Sequence, residues 1–173
     1  MDIVFVRHAA AEKGGASRDI GRMLTSAGRE QMQDLLPRLR AHLPPGQKPA
    51  VWSSPAARAL QTAQIIANGL GAEKISCYFW IYSGDIEAFR RALALTDAET
   101  GLILVGHEPI LGAWSRKLCG AETAFKKGGA AGFLLREGEP SRADLIWFVH
   151  AKAKVRIRRN SLVPSPCGTA VWR

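Results

Sequence analysis

The sequence predicts an α/β protein: a three-layer α/β/α sandwich built on a mostly parallel central sheet with an antiparallel edge pair. Three observations carry that prediction. Short apolar runs alternate with segments of helical periodicity, the pattern of βα units whose crossover helices cover both faces of a sheet. The 173 residues, 47% hydrophobic and 23% charged, have the size and composition of one globular domain, which excludes collagen-like, disordered and disulfide-scaffold classes. The last two apolar runs are joined through Glu137-Gly138-Glu139-Pro140-Ser141, too short for a crossover helix, so they are expected to pair antiparallel.

Taken in order, residues 3–6 (IVFV) form the first strand. Met32, Leu35, Leu36, Leu39 and Leu43 then recur at helical spacing after a Thr25-Ser26 start signal, and Pro44-Pro45-Gly46 ends the segment. Pro37 inside it is expected to kink or divide the helix. A strand over 50–52 follows, then a helix with Ser54 as cap, Pro55 in the first helical position and a buried stripe of Leu60, Ala63, Ala67 and Leu70 before Gly71. Strands are expected over 75–79, 102–105, 132–135 and 145–149, and helices over 86–95 and 110–118, the latter ending at Cys119 before Gly120. No internal repeat or low-complexity block interrupts the pattern.

The formal net charge is +9, an excess that fits an anionic partner such as nucleic acid, an anionic membrane or a phosphorylated substrate. Its distribution is uneven. No acidic residue follows Asp144, while Lys152, Lys154, Arg156, Arg158, Arg159 and Arg173 do, so the first 144 residues carry only three of the nine net charges. Domain organisation follows: a folded unit over 1–153 and a basic C-terminal tail over 154–173, read as an edge strand or disordered arm capable of weak, nonspecific polyanion contact. Cys77, Cys119 and Cys167 are odd in number and widely spaced, which argues against a disulfide framework or a zinc site and fits a reducing compartment. With no signal-peptide core and no run of about 18 apolar residues, a cytoplasmic location without membrane contact is expected.

Polar residues fall just after three of the strands: Arg7-His8 after the first, Ser53-Ser54 leading to Arg58 after the second, and Gly106-His107 after the fourth. Ligands of open α/β sheets bind outside the carboxyl ends of the strands. Two arginines and two histidines are therefore expected at one sheet edge. Arg presents a planar donor fork to phosphoryl oxygens, and His serves as donor or nucleophile. Arg58 lies in the first turn of its helix, where a positive charge opposes the helix dipole; a bound phosphate would satisfy both. Thr25 and Ser26 are read as helix caps, Glu108 as structural, His42 and His150 as surface and strand-end residues, and Lys126-Lys127-Gly128-Gly129 as a solvated turn.

The segments FVRHAAAE, SSPAARALQTA and LVGHEP, in that order, resemble the signatures of the histidine phosphatase superfamily, which has the phosphoglycerate mutase-like fold. RMLTSAGREQ and FKKGGAAGFLL further resemble the small SixA-type phosphohistidine phosphatases, and the likeness covers about residues 1–153. The resemblance implies that His8 is a nucleophile forming a phosphohistidine intermediate, with Arg7, Arg58 and His107 binding the phosphoryl group, and that neither a metal nor another cofactor takes part. Ala9 stands where the signature usually has Gly. Many members also carry a general-acid Glu after the strand corresponding to 75–79; here Phe79 and Trp80 stand near that position, and the nearest acids are Asp85 and Glu87.

General acid catalysis contributes about 10² to 10⁴ in rate when a leaving alkoxide must be protonated. An imidazole leaving from phosphohistidine departs neutral once its ring is protonated. The expected activity is therefore a hydrolase removing phosphate from phosphohistidine in a signalling or carrier protein. A phosphatase of small phosphoesters and a noncatalytic phosphate or nucleic-acid binding module remain the alternatives.

Overall fold

The computed structural model describes residues 1–13, 19–43, 48–97, 100–121, 123–136 and 139–150. The expected division at residue 153, the basic tail, Cys167, the Pro44-Pro45-Gly46 stop and the Glu137-Gly138 turn lie outside these residues. The strands are β1 (Asp2–Arg7), β2 (Ala50–Ser53), β3 (Ile75–Cys77), β4 (Leu102–Gly106), β5 (Ala130–Arg136) and β6 (Glu139–Val149). The helices are α1 (Ser26–His42), α2 (Ala57–Leu70), α3 (Phe79–Ser83), α4 (Ile86–Ala94) and α5 (Ile110–Cys119). A 3₁₀ turn, Asp19–Gly21, precedes α1.

The strand order is β3-β2-β4-β1-β5-β6. β1, β4, β2 and β3 run parallel, whereas β5 is antiparallel to β1 and β6 is antiparallel to β5. Alternation along the central strands divides the core into two, because successive side chains point to opposite faces. Val4, Val6, Ile103 and Val105 pack with Met32, Leu35 and Leu39 of α1 and Ile66 of α2. Ile3, Phe5, Leu102 and Leu104 pack with Phe89 of α4 and Trp114 of α5 on the other face. Phe89 is fully buried there, stacked on Trp114 at 5.1 Å and meeting Phe5 edge-on at 5.9 Å. Three layers result, as the sequence predicts. Among the described residues no helix is long and apolar enough to cross a membrane.

Several local expectations are corrected. α1 runs undivided through Pro37, which sits on its exposed face while Leu35 and Leu39 on either side are anchored in the core. Thr25 is its cap as expected, accepting from the Gly28 N–H at 3.1 Å, whereas Ser26 is its first helical residue and not a cap. The strand expected over 75–79 stops at Cys77, because β2, its pairing partner among the described residues, ends opposite it at Ser53. Tyr78 N donates the last bond to Ser53 O at 2.9 Å, and α3 then turns Trp80 inward against Trp52, Phe89 and Trp114. α2 starts later than expected: Ala56, not Ser54, is its cap residue, and Ala57, not Pro55, its first helical position. Leu60 is only half-buried, and Ala59, Thr62 and Ile66 join Ala63, Ala67 and Leu70 on the buried face. The final strands are longer than their apolar runs, and β6 starts at Glu139.

Candidate active site

Strand register alone brings the two histidines together. β1 and β4 pair in parallel with Arg7 opposite Gly106, so the next residue on each strand is a histidine. His8 N donates to Gly106 O at 3.1 Å, and the two rings lie 5.1 Å apart, centroid to centroid. β2 flanks β4 with Ser53 opposite Val105, which sets Ser54 beside the same strand end; Ser54 N donates to Val105 O at 3.1 Å. α2 leaves from this point and carries Arg58 in its first turn. All four side chains singled out in the sequence, Arg7, His8, Arg58 and His107, thus surround the carboxyl ends of β1 and β4. His8, Arg58 and His107 are each buried, and Arg7 is half-buried.

His8 Nδ1 lies 2.8 Å from Ala9 O. A carbonyl accepts only, so Nδ1 carries the proton and Nε2 presents its lone pair. Arg58 Nε donates to that Nε2 at 3.2 Å, as the assignment requires. The segment after His8 is pinned on several sides. Ala9 N donates to Thr62 Oγ1 at 3.2 Å and Ala10 N to Gln31 Oε1 at 3.2 Å. A Cβ at Gly28 of α1 would lie 2.0 Å from Ala10 O, so this close approach of helix to strand end requires glycine. Burial first, then the charges of Arg58, Arg7 and Arg22, lower the His8 pKa to about 4, against the Ala9 carbonyl, which raises it. His8 is therefore neutral at pH 7.

His107 Nε2 lies 2.7 Å from Ser54 Oγ, and its Nδ1 is buried without a partner among the described residues. Tyr82 of α3 meets the ring edge-on at 5.6 Å. Burial, with further lowering from His8 and Arg58, takes the His107 pKa to about 3, partly opposed by Asp19. Arg7 donates from Nη1 to Phe125 O at 2.6 Å, and Phe125 N donates to Glu108 Oε1 at 2.8 Å, so Glu108 supports Arg7 through the backbone of a single residue. Arg7 Nε is buried and unpartnered among the described residues.

Two further N–H groups of Arg58 engage Asp19, Nη1 its carbonyl at 2.5 Å and Nη2 its Oδ2 at 2.8 Å, so three of the five guanidinium donors are engaged. Arg22 forms an ion pair with the same carboxylate. Burial raises the Asp19 carboxyl, but the two arginines outweigh it and hold it below the ordinary carboxylate value.

Sequence reasoning missed several of these partners. Ser54 was expected to cap α2, but its fully buried hydroxyl faces His107. Asp19 reaches Arg58 across 39 positions of chain, a contact with no local signal. The two lysines of the Lys126-Lys127-Gly128-Gly129 turn are exposed as expected, yet its glycines are buried and hold the site: Gly128 N donates to Arg7 O and His8 O at 3.2 and 3.1 Å, and Arg7 N donates to Gly129 O at 2.9 Å. The nearest acids to the strand where a general acid was sought are engaged elsewhere. Asp85 caps α4, accepting from Glu87 N and Ala88 N at 3.0 Å, and Glu87 pairs with Arg90 at 2.7 Å.

A neutral imidazole lone pair beside a buried guanidinium, with unpartnered Arg7 Nε and His107 Nδ1 nearby, is suited to an anion carrying several acceptor oxygens. Comparison with known proteins agrees. Residues 3–77 match the model of the histidine phosphatase superfamily (branch 1). An uncharacterised protein of Picosynechococcus sp. is 32% identical over 149 residues, covering 80% of this chain and 86% of that one. Among solved structures, the protein histidine phosphatase SixA complexed with tungstate superposes with a TM-score of 0.77 at 23% identity, covering 87% of this chain and 97% of that one. A SixA described as a putative phosphohistidine phosphatase, from Nakamurella multipartitia, gives 0.72 at 26% identity, covering 88% and 96%. Its counterpart from Agrobacterium tumefaciens gives 0.68 at 25%, covering 86% and 96%. Fold and matches together define a phosphatase, an enzyme of the hydrolase class. The chain belongs to the histidine phosphatase superfamily and, within it, is of the SixA type.

Proposed function

We propose that the protein removes phosphate from phosphohistidine in a partner protein, through a covalent phosphohistidine at His8, with Arg7, Arg58 and His107 as the phosphate-binding and catalytic groups. The observation that carries this reading is the tautomer of His8. Its Nδ1–H is held by Ala9 O, which leaves a lone pair on Nε2 at a position buried among positive charges. That lone pair attacks phosphorus as the bond from phosphorus to the substrate imidazole breaks. The bonding electrons stay with the leaving nitrogen, whose ring keeps a proton on its other nitrogen and so departs neutral. Water then displaces His8 from phosphorus, restoring the lone pair and releasing inorganic phosphate. Guanidinium groups and imidazole donors stabilise the equatorial oxygens throughout.

The substrate class is supported by the engagement of Asp85 and Glu87 elsewhere and by the names of the relatives at 25–26% identity. A leaving imidazole tolerates the lack of a nearby acid better than an alkoxide does. The reading also places the enzyme in the cytoplasm, acting on a phosphoprotein. The test is release of inorganic phosphate from p-nitrophenyl phosphate, a phosphohistidine protein and glycerol phosphate, in EDTA, by wild type and His8→Ala. Expected is turnover in EDTA that His8→Ala abolishes, with the phosphohistidine protein preferred over glycerol phosphate. Equal turnover of the last two would remove the basis of the substrate assignment. Full activity in His8→Ala would remove the mechanism.

A further inference from the structure

Ser54 decides which nitrogen of His107 carries the proton. Its side chain is fully buried, and Oγ has two polar neighbours among the described residues: the Ala56 N–H, which it accepts at 3.3 Å, and His107 Nε2 at 2.7 Å. One hydroxyl proton and one imidazole proton have to be distributed. If Nε2 holds the imidazole proton and donates to Ser54, the hydroxyl hydrogen has no acceptor and Nδ1 is left as a bare, buried acceptor. If Ser54 donates to Nε2, only the Nδ1–H is left over. The second arrangement strands one buried polar group in place of two, and each such group is costly.

We infer that Ser54 is a positioning residue that holds His107 as its Nδ1–H tautomer, so that Nδ1 donates to an oxygen of the bound phosphoryl group. The inference rests on the phosphatase reading above and deepens it. The two histidines then act in opposite senses. Ala9 O fixes the proton of His8 so that its Nε2 is an acceptor, and the Ser54 hydroxyl fixes that of His107 so that its Nδ1 is a donor. The wrong tautomer would turn a lone pair toward anionic oxygens. A neutral imidazole has no such preference by itself, and burial keeps His107 neutral. Ser54 therefore supplies something that neither the charge nor the position of His107 supplies.

Long-range ¹H–¹⁵N spectra of the full chain labelled at histidine nitrogens test this, since they distinguish protonated from unprotonated ring nitrogens. At pH 7 the expected result is a protonated Nδ1 and an unprotonated Nε2 on His107, with the Nδ1 proton moving on titration with inorganic phosphate. In Ser54→Ala the two nitrogens should average between tautomers while His8 keeps its pattern. Its kcat should fall roughly tenfold to a hundredfold, the scale of one lost buried hydrogen bond. An Nε2-protonated or doubly protonated His107 in wild type overturns the inference, whatever becomes of the variant. So does a Ser54→Ala protein with an unchanged tautomer. Turnover with the wrong tautomer overturns this inference alone, and the expected tautomer without turnover supports it while overturning the phosphatase reading.

Discussion

Lowering the pH from 7 to 5 should destabilise the fold through a buried histidine that stays unprotonated, and the size of the effect follows from the site. Burial and three arginines take the His8 pKa to about 4, against 6.5 for the free side chain. Between these values the unfolded chain binds a proton that the folded protein refuses. Folding stability therefore rises with pH through this window and falls as the solution is acidified. At pH 5 a group titrating at about 4 is about 90% neutral, whereas one at its ordinary value is about 3% neutral. The corresponding loss of stability between pH 7 and pH 5 is about 2 kcal/mol from His8 alone. Urea unfolding followed by tryptophan fluorescence at both pH values measures it, in wild type and in His8→Asn, which cannot titrate. The variant should lose about 2 kcal/mol less than wild type on acidification. An equal loss in both would falsify the buried, neutral His8, and with it the account of why its lone pair is available.

Three further outcomes are expected. Arg58→Met should lower kcat/KM by about 10² to 10³, because one aimed donor group to the phosphoryl oxygens is lost; steady-state assays in EDTA check this. Gly128→Ala should destabilise the protein by about 1 to 2 kcal/mol and weaken phosphate binding, since the residue has φ +68° and an added Cβ would approach Gln31 Cδ to 2.6 Å; denaturant unfolding and phosphate titration read the two effects. Phe89→Ala should cost about 3 to 5 kcal/mol by opening a cavity between α4, Phe5 and Trp114, with the catalytic constants of the folded fraction little changed.

Much of the architecture was legible because it is written in local periodicity. The alternation Ile3, Phe5 against Val4, Val6 implies a strand buried on both faces, and the spacing of Met32, Leu35 and Leu39 implies a helix over one of them. Elements that depend on what lies across space were not legible. α3 interrupts an apolar run because Trp80 finds Trp52, Phe89 and Trp114, none of which lies within nine positions of it except Phe89. Ser54, read as the cap of α2, instead bonds through its N–H to Val105 O of β4 and turns its hydroxyl to His107.

The sequence by itself determined which chemistry is available: two histidines and two arginines at strand ends, in an order shared with the histidine phosphatases, and the strand and helix periods that deliver them to one edge. Tertiary structure decided how those groups are held. Parallel register between β1 and β4 sets His8 beside His107, Ala9 O and Ser54 set their protons, and Asp19 and Phe125 hold the two arginines. The physical reason is range. Hydrophobic period and turn propensity act over a few residues and can be read along the chain. The orientation of the two guanidinium groups depends on partners 39 and 118 positions away, and the proton of His107 on one 53 positions away, which meet only when the chain has folded.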